Sequence, residues 1–136
     1  MIPRTALVLV LIASGWASQY AQGVERGPIY NRTTGRATPA IRQDHDQFDG
    51  YAAARYPRDI DQVWLVCPED PALACRTLLV IDCAGVKDGA LDWMLRGNVV
   101  LEMDYETAVA WDTVGRGLRV NVYSVTQEPA PRYAYD

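Results

Sequence analysis

The stretch "TLLVIDCAG", residues 77–85, is an apolar run that stops on an acid, a thiol and a glycine. Asp82 there either finishes a strand or is held at the strand's end to do chemistry. A second acid decides between these readings, because a carboxyl group beside another acid or an apolar wall can keep a proton near neutral pH and deliver it to a leaving oxygen. Further along, "EMDYETAVAW" offers Asp104 immediately before a short helical pattern, in the N-cap position, with Glu106 in the first turn. The same two acids have a structural role available: Asp104 as a cap, Asp82 as an acceptor for the turn that follows it.

The remaining reactive groups are sparse. Cys67, Cys75 and Cys83 are spaced seven residues apart in each gap, without the close pairing of a zinc site, and His45 is the sole histidine. Cys67 and Cys75 are expected to bond across the loop "CPEDPALAC", with Cys83 as an odd thiol. "DHDQFD" at 44–49 lacks the glycine and terminal glutamate of a calcium loop and reads as a solvated polar loop. No metal and no cofactor is expected. "NRT" at Asn31 matches a glycosylation sequon.

Elements that would position these groups follow from periodicity. "QVWLVC" and "CRTLLVID" read as strands, joined across the cysteine loop. "NVVLEM" alternates Val99, Leu101 and Met103 against Asn98, Val100 and Glu102, and "GLRVNVYSV" alternates Leu118, Val120 and Val122 against Arg119, Asn121 and Tyr123. Between them, "DYETAVAW" puts Tyr105, Ala108 and Val109 on one helical face. Trp64 and Trp111 lie in apolar periodic segments and are expected in the core, whereas Trp16 and Tyr20 share one face of an early strand. Six or so short strands favour a closed barrel, since closure removes exposed strand edges.

Composition bounds the rest. With 136 residues, 49% of them hydrophobic, the chain has enough material for one domain. The formal charge of −4 and scattered arginines argue against a nucleic-acid partner. "MIPRTALVLVLIASGWAS" has the order of a secretory signal peptide: a basic residue, an apolar stretch from Ala6 to Ala13, then small residues, too short to span a bilayer. Residues 1–15 are therefore expected as a signal peptide, with no stable membrane span after its removal; the alternative is a buried first strand. Residues 126–136, with two prolines and no apolar period, are expected as an exposed tail.

Five segments, in order, resemble the double-psi β-barrels of rare lipoprotein A, expansins and their relatives. "GWASQY" resembles their opening "G-x-A-S/T-x-Y" strand, and "GRATPA" their "G-R-x-T-A-S-G" loop. "GYAAARYPRDIDQVWLV" is similar to "A-L-T-A-A-H-x-x-L-P-x-G-T-x-V-x-V", "LLVIDCAG" to "V-x-V-x-D-x-G-P", and "VVLEMDYETAVAW" to "R-I-I-D-L-S-x-x-A-F". The resemblance implies a mainly β, six-stranded double-psi β-barrel over residues 16–125 with one or two short helices. It implies action on, or binding to, a cell-wall polysaccharide of the peptidoglycan type, by lytic transglycosylation or expansin-like loosening, outside the cytoplasm. Carried over residue by residue, Asp104 is the general acid, Asp82 the neighbouring acid, and Ser18 a lining residue of the groove, which Trp16 and Tyr20 would flank. The sequence departs from the pattern in three places: "DLS" is Asp104-Tyr105-Glu106, the expected "R-G-P" loop is "CAG", and the histidine after "TAA" is Arg55. A barrel that has lost activity and serves as a module of an extracellular or virion assembly is the alternative.

Overall fold

The computed structural model describes residues 5–19 and 48–129. Six strands, β1 (Thr5–Gln19), β2 (Gly50–Ala54), β3 (Val63–Pro68), β4 (Arg76–Cys83), β5 (Val99–Met103) and β6 (Leu118–Pro129), close into one barrel. Its order is β1-β5-β2-β4-β3-β6. Two short helices interrupt the strands, α1 (Ala90–Arg96) and α2 (Tyr105–Ala110), with one 3-10 turn at Pro57–Asp59. The expected class, a mainly β six-stranded barrel with one or two short helices, is the observed one. No described helix is long and apolar enough to cross a membrane.

The order is mixed and internally symmetric. β1 runs parallel to β5 and β2 parallel to β4, whereas the other four neighbouring pairs are antiparallel. Exchanging β1, β2 and β3 for β4, β5 and β6 leaves every neighbour relation and its direction unchanged.

Strand alternation fills the interior. Ala17, Ala52, Ala54, Trp64, Val66, Leu78, Val80, Leu101, Met103, Val120 and Val122 are buried in one core cluster. Small alanines on β2 leave room there for Trp64 and Met103, which is how a narrow barrel packs without voids. Trp111, at the end of α2, is also in this cluster and its indole N–H donates to Ala74 O at 2.8 Å. The expectation for both tryptophans holds. On α2, however, Thr107 and Ala108 are buried and Val109 is exposed, so the inward stripe is shifted by one residue from the expected face.

Both chain ends of the described barrel carry strand into the segments expected as signal peptide and as tail. β1 begins at Thr5 and pairs with β6 from Thr5↔Pro129 to Ala17↔Leu118, so residues 5–15 form strand continuous with the barrel. Gly15 is buried there, and a Cβ on it would lie 2.5 Å from Asn98 O. That close approach of β1 to the start of β5 explains a glycine in the strand. β6 continues to Pro129, four residues into the segment expected as tail. Cys67 and Cys75 are bonded, with S–S 2.10 Å, across the β3–β4 connection; Cys83 lies outside that bridge.

Candidate functional site

Strand register assembles a row of four side chains. Ser18 on β1 is opposite Glu102 on β5, Glu102 is opposite Ala53 on β2, and Ala53 is opposite Asp82 on β4. Directly opposed residues point to the same face of a sheet, and here it is the outer face, because Ala17, Leu101, Met103 and Ala52 occupy the core. The row is its own image under the barrel's internal exchange, Ser18 corresponding to Asp82 and Glu102 to Ala53.

A cleft of about 200 Å³ opens over this row. It is bounded by Ala53, Asp82 and Glu102 on the strands, by the turn at Cys83–Gly85, and by Trp93 and Met94 of α1. The turn after Asp82 builds the roof: Ala84 N donates to Ala54 O, Leu91 N donates to Gly85 O, and Asp88 Oδ1 accepts from Ala90 N at 3.0 Å to start α1. Met94 is the residue α1 buries, whereas Trp93 is 52% exposed at the rim. An exposed indole beside carboxyl groups suits the apolar face of a sugar ring or another flat ligand.

Burial sets the protonation of this cleft. The half-buried Glu102 carboxyl is held above its ordinary value of 4.5, first by desolvation; Ser18 opposes the shift, and the charge of Asp82 adds to it. Ser18 Oγ is itself buried without a partner at full hydrogen-bond geometry among the described residues. Hydrogen-bond strength falls steeply with misalignment, so this hydroxyl acts on the carboxyl as a weak donor. Asp82 Oδ1 accepts from Cys83 N at 2.8 Å. The acid of "LLVIDCAG" therefore finishes its strand and also faces a second acid; the two readings are compatible.

The expected second acid, Asp104, is elsewhere. It is 3% exposed at the start of α2, and its Oδ1 accepts from Tyr51 N at 3.0 Å and from Thr107 Oγ1 at 2.6 Å. It stands in the N-cap position but makes no side-chain cap to the helix backbone. Its work is to tie β2 to α2. Gly50 makes room for it, since a Cβ there would lie 2.5 Å from Thr107 Oγ1. Arg76 Nε donates to the same Thr107 Oγ1 at 3.3 Å, which extends the network to β4.

Of the residues expected to line a groove, Ser18 is brought to Glu102 and Asp82. Trp16 is exposed under the Arg119 guanidinium, 5.6 Å from ring centroid to Cζ, and does not line the acid cleft. Tyr20, Asn31, His45 and the rest of 20–47 lie outside the described residues. Asp49, the last acid of "DHDQFD", accepts through Oδ2 from Thr77 N at 2.8 Å and from Thr77 Oγ1 at 3.1 Å, a structural latch. Arg55, in place of the histidine, donates through Nε to Val99 O at 2.8 Å and so anchors the end of β2 to β5. Among the described residues no group of three or more His, Cys, Asp or Glu is arranged to hold a metal ion.

Glu102 is the site residue that has no motif of its own in the sequence. The alternation of "NVVLEM" separates it from Leu101 and Met103 but fails at Val100, which is in the core, and the sequence alone does not supply the register of Glu102 against Ser18 and Ala53. A larger cleft, about 760 Å³, lies by Arg55, Tyr56 and Arg58 and shares no lining residue with the acid cleft. Its Asp59 accepts from Gln62 Nε2 at 3.2 Å, and Arg58 stacks on Tyr56 at 4.7 Å. Size favours that cleft; proton chemistry favours the smaller one, where a carboxyl with raised proton affinity faces a second acid. Comparison with protein-family models gives no match, and comparison with curated proteins gives none either.

Proposed function

We propose that the chain acts outside the cytoplasm on a cell-wall polysaccharide of the peptidoglycan type, with Glu102 as the proton donor and Asp82 as its charged neighbour. The observation that carries this reading is the raised Glu102 carboxyl facing Asp82 in a cleft rimmed by Trp93. The ordered resemblance to rare lipoprotein A and expansins supplies the substrate class, and the Cys67–Cys75 bridge is compatible with an oxidising compartment.

In the proposed reaction Glu102, protonated, gives its proton to the glycosidic oxygen as the bond from the anomeric carbon to that oxygen breaks, and positive charge develops on the sugar ring. The resulting carboxylate then removes the proton from a hydroxyl of the same sugar, whose oxygen closes on the anomeric carbon. Glu102 is thereby returned to its starting form. Asp82, ionised, favours the positively charged ring and opposes early loss of the Glu102 proton.

Purified protein incubated with peptidoglycan sacculi, and in parallel with cellulose, tests the reading. Release of anhydro-sugar ends supports lytic transglycosylation, and mechanical weakening without release supports loosening; both must disappear in Glu102→Gln. Neither effect from the folded, disulfide-bonded wild type on either material rejects catalysis. The second reading, a barrel serving as a binding or structural module of an extracellular or virion assembly, is favoured by the exposed apolar segment of β1, Leu9–Ile12.

A further inference from the structure

The first half of β1 is an unusual surface. Leu9, Val10, Leu11 and Ile12 are each between 45% and 56% exposed, on both faces of the strand. β6 covers one edge of this segment along its length, but β5 joins the other edge only from Trp16 onward. On the far side, β3 follows β6 only as far as Ser124. Thr5–Leu11 and Tyr123–Pro129 thus form a two-stranded ribbon running beyond the closed barrel. Among the described residues, no backbone hydrogen bond reaches the outer edge of β1 between Thr5 and Ala13.

An edge of this kind is normally blunted by a charge, a proline or a bulge. β1 holds no charged residue and no proline from Thr5 to Gln19, and its register shift, at Leu11/Ala13, lies at one end of the open edge and leaves Thr5–Leu11 in continuous register with β6. A two-stranded ribbon alone is also marginal in water. We infer that this edge pairs with the same edge of a second copy, antiparallel about a two-fold axis near Leu9, so that two ribbons form one four-stranded sheet.

The occupant is argued from the edge itself. N–H and C=O groups that find no partner among the described residues are matched, in extended backbone, by another extended strand, and identical strands related by a two-fold are antiparallel. Because the segment is uncharged, self-pairing brings no like charges together, and apolar side chains on each face meet their own kind. This inference does not depend on the acid cleft, which lies beyond Trp16 on the parallel β1–β5 pairing.

Sedimentation equilibrium of the full chain, with intact mass establishing its first residue, is the test. The expected result is a mass twice that of one chain, falling to one chain in Leu9→Lys/Leu11→Lys, whose substituted side chains are already half-exposed and whose circular dichroism should stay unchanged. Single cysteines at Val8, Leu9 and Val10, introduced one at a time into Cys83→Ser, give an independent reading if the double variant fails to fold. At least one should cross-link into dimers well above a control cysteine at Val86, which is 78% exposed on the turn before α1. A monomer that keeps residues 5–13 overturns the inference, whether another part of the chain covers the edge or phosphatidylcholine vesicles capture it. So does a dimer that persists after those residues have been removed on export.

Discussion

Glu102 and Asp104 are two residues apart and occupy opposite kinds of site. Asp104 is enclosed at the start of α2, where two donors from β2 and α2 converge on one of its oxygens. Glu102 faces outward under α1 beside a serine hydroxyl, an alanine and a second acid, its carboxyl half-buried and, among the described residues, short of donors. Donors that converge on a buried carboxyl use it as structure; burial without them favours the proton and makes it available for chemistry. An acid is therefore read by what faces it, and proximity to a helix start is a poor guide.

The widest separation between the two should appear in turnover. On sacculi, Glu102→Gln is expected to lose activity by roughly 10²–10⁴-fold, the usual contribution of a positioned general acid. Asp104→Asn, which keeps the oxygen that Tyr51 N and Thr107 Oγ1 donate to, is expected to keep most of it at matched stability. Equal loss in both variants would erase the distinction. Stability should separate them in the other direction: Asp104→Ala strands two buried donors, at about 1–3 kcal/mol each. A loss of roughly 3 kcal/mol in urea unfolding is expected for it, and Glu102→Gln should show no comparable loss.

The sequence carried the barrel further than it carried the site. Alternation in "GLRVNVYSV" marks β6 because inward and outward residues differ sharply in hydropathy, and the cysteine loop marks the β3–β4 hairpin; in "NVVLEM" the expected alternation breaks at Val100, which joins Leu101 and Met103 in the core where the β1–β5 register shifts. α1 left no such trace: seven residues between Gly89 and Gly97 bury only Met94, too little for a periodic pattern. Ser18, Glu102 and Asp82 come together across β1, β5, β2 and β4, through two parallel pairings and one antiparallel pairing, none of them specified by a hairpin turn. Long-range register of this sort has no local signature. Asp104 drew attention because a helix start does have one.

A covalent tie far from both acids gives a control of similar size. The Cys67–Cys75 bridge closes a nine-residue segment, for which loop entropy predicts about 2.5 kcal/mol of stabilisation. Replacing both cysteines by serine should lower urea stability by about that amount while leaving the Glu102 titration unmoved. A shifted Glu102 midpoint in that variant would mean that the cleft merely reports global loosening.

The smallest expected effect is the most specific, because its sign changes with the residue altered. The folded protein holds the Glu102 proton more tightly than the unfolded chain does, so ionising Glu102 opposes folding. Its favourable contribution is fully present below the ordinary value of 4.5 and is lost as pH rises through the raised folded value. Wild type should therefore lose stability over that window relative to Glu102→Gln, and the difference should level off above it. Within the same window, the carboxyl ¹³C titration of Glu102 should move up in Ser18→Ala, which removes the weak donor, and down in Asp82→Asn, which removes the facing charge. The Asp82 shift should be the smaller of the two and should leave most of the elevation in place, because desolvation is the leading cause and the sheet and α1 that produce it are untouched. Return of the midpoint to its ordinary value in Asp82→Asn would make the facing charge the dominant cause and the buried wall incidental. No movement in either variant would separate Glu102 from both neighbours, and the row across β1, β5, β2 and β4 would then be a packing feature alone.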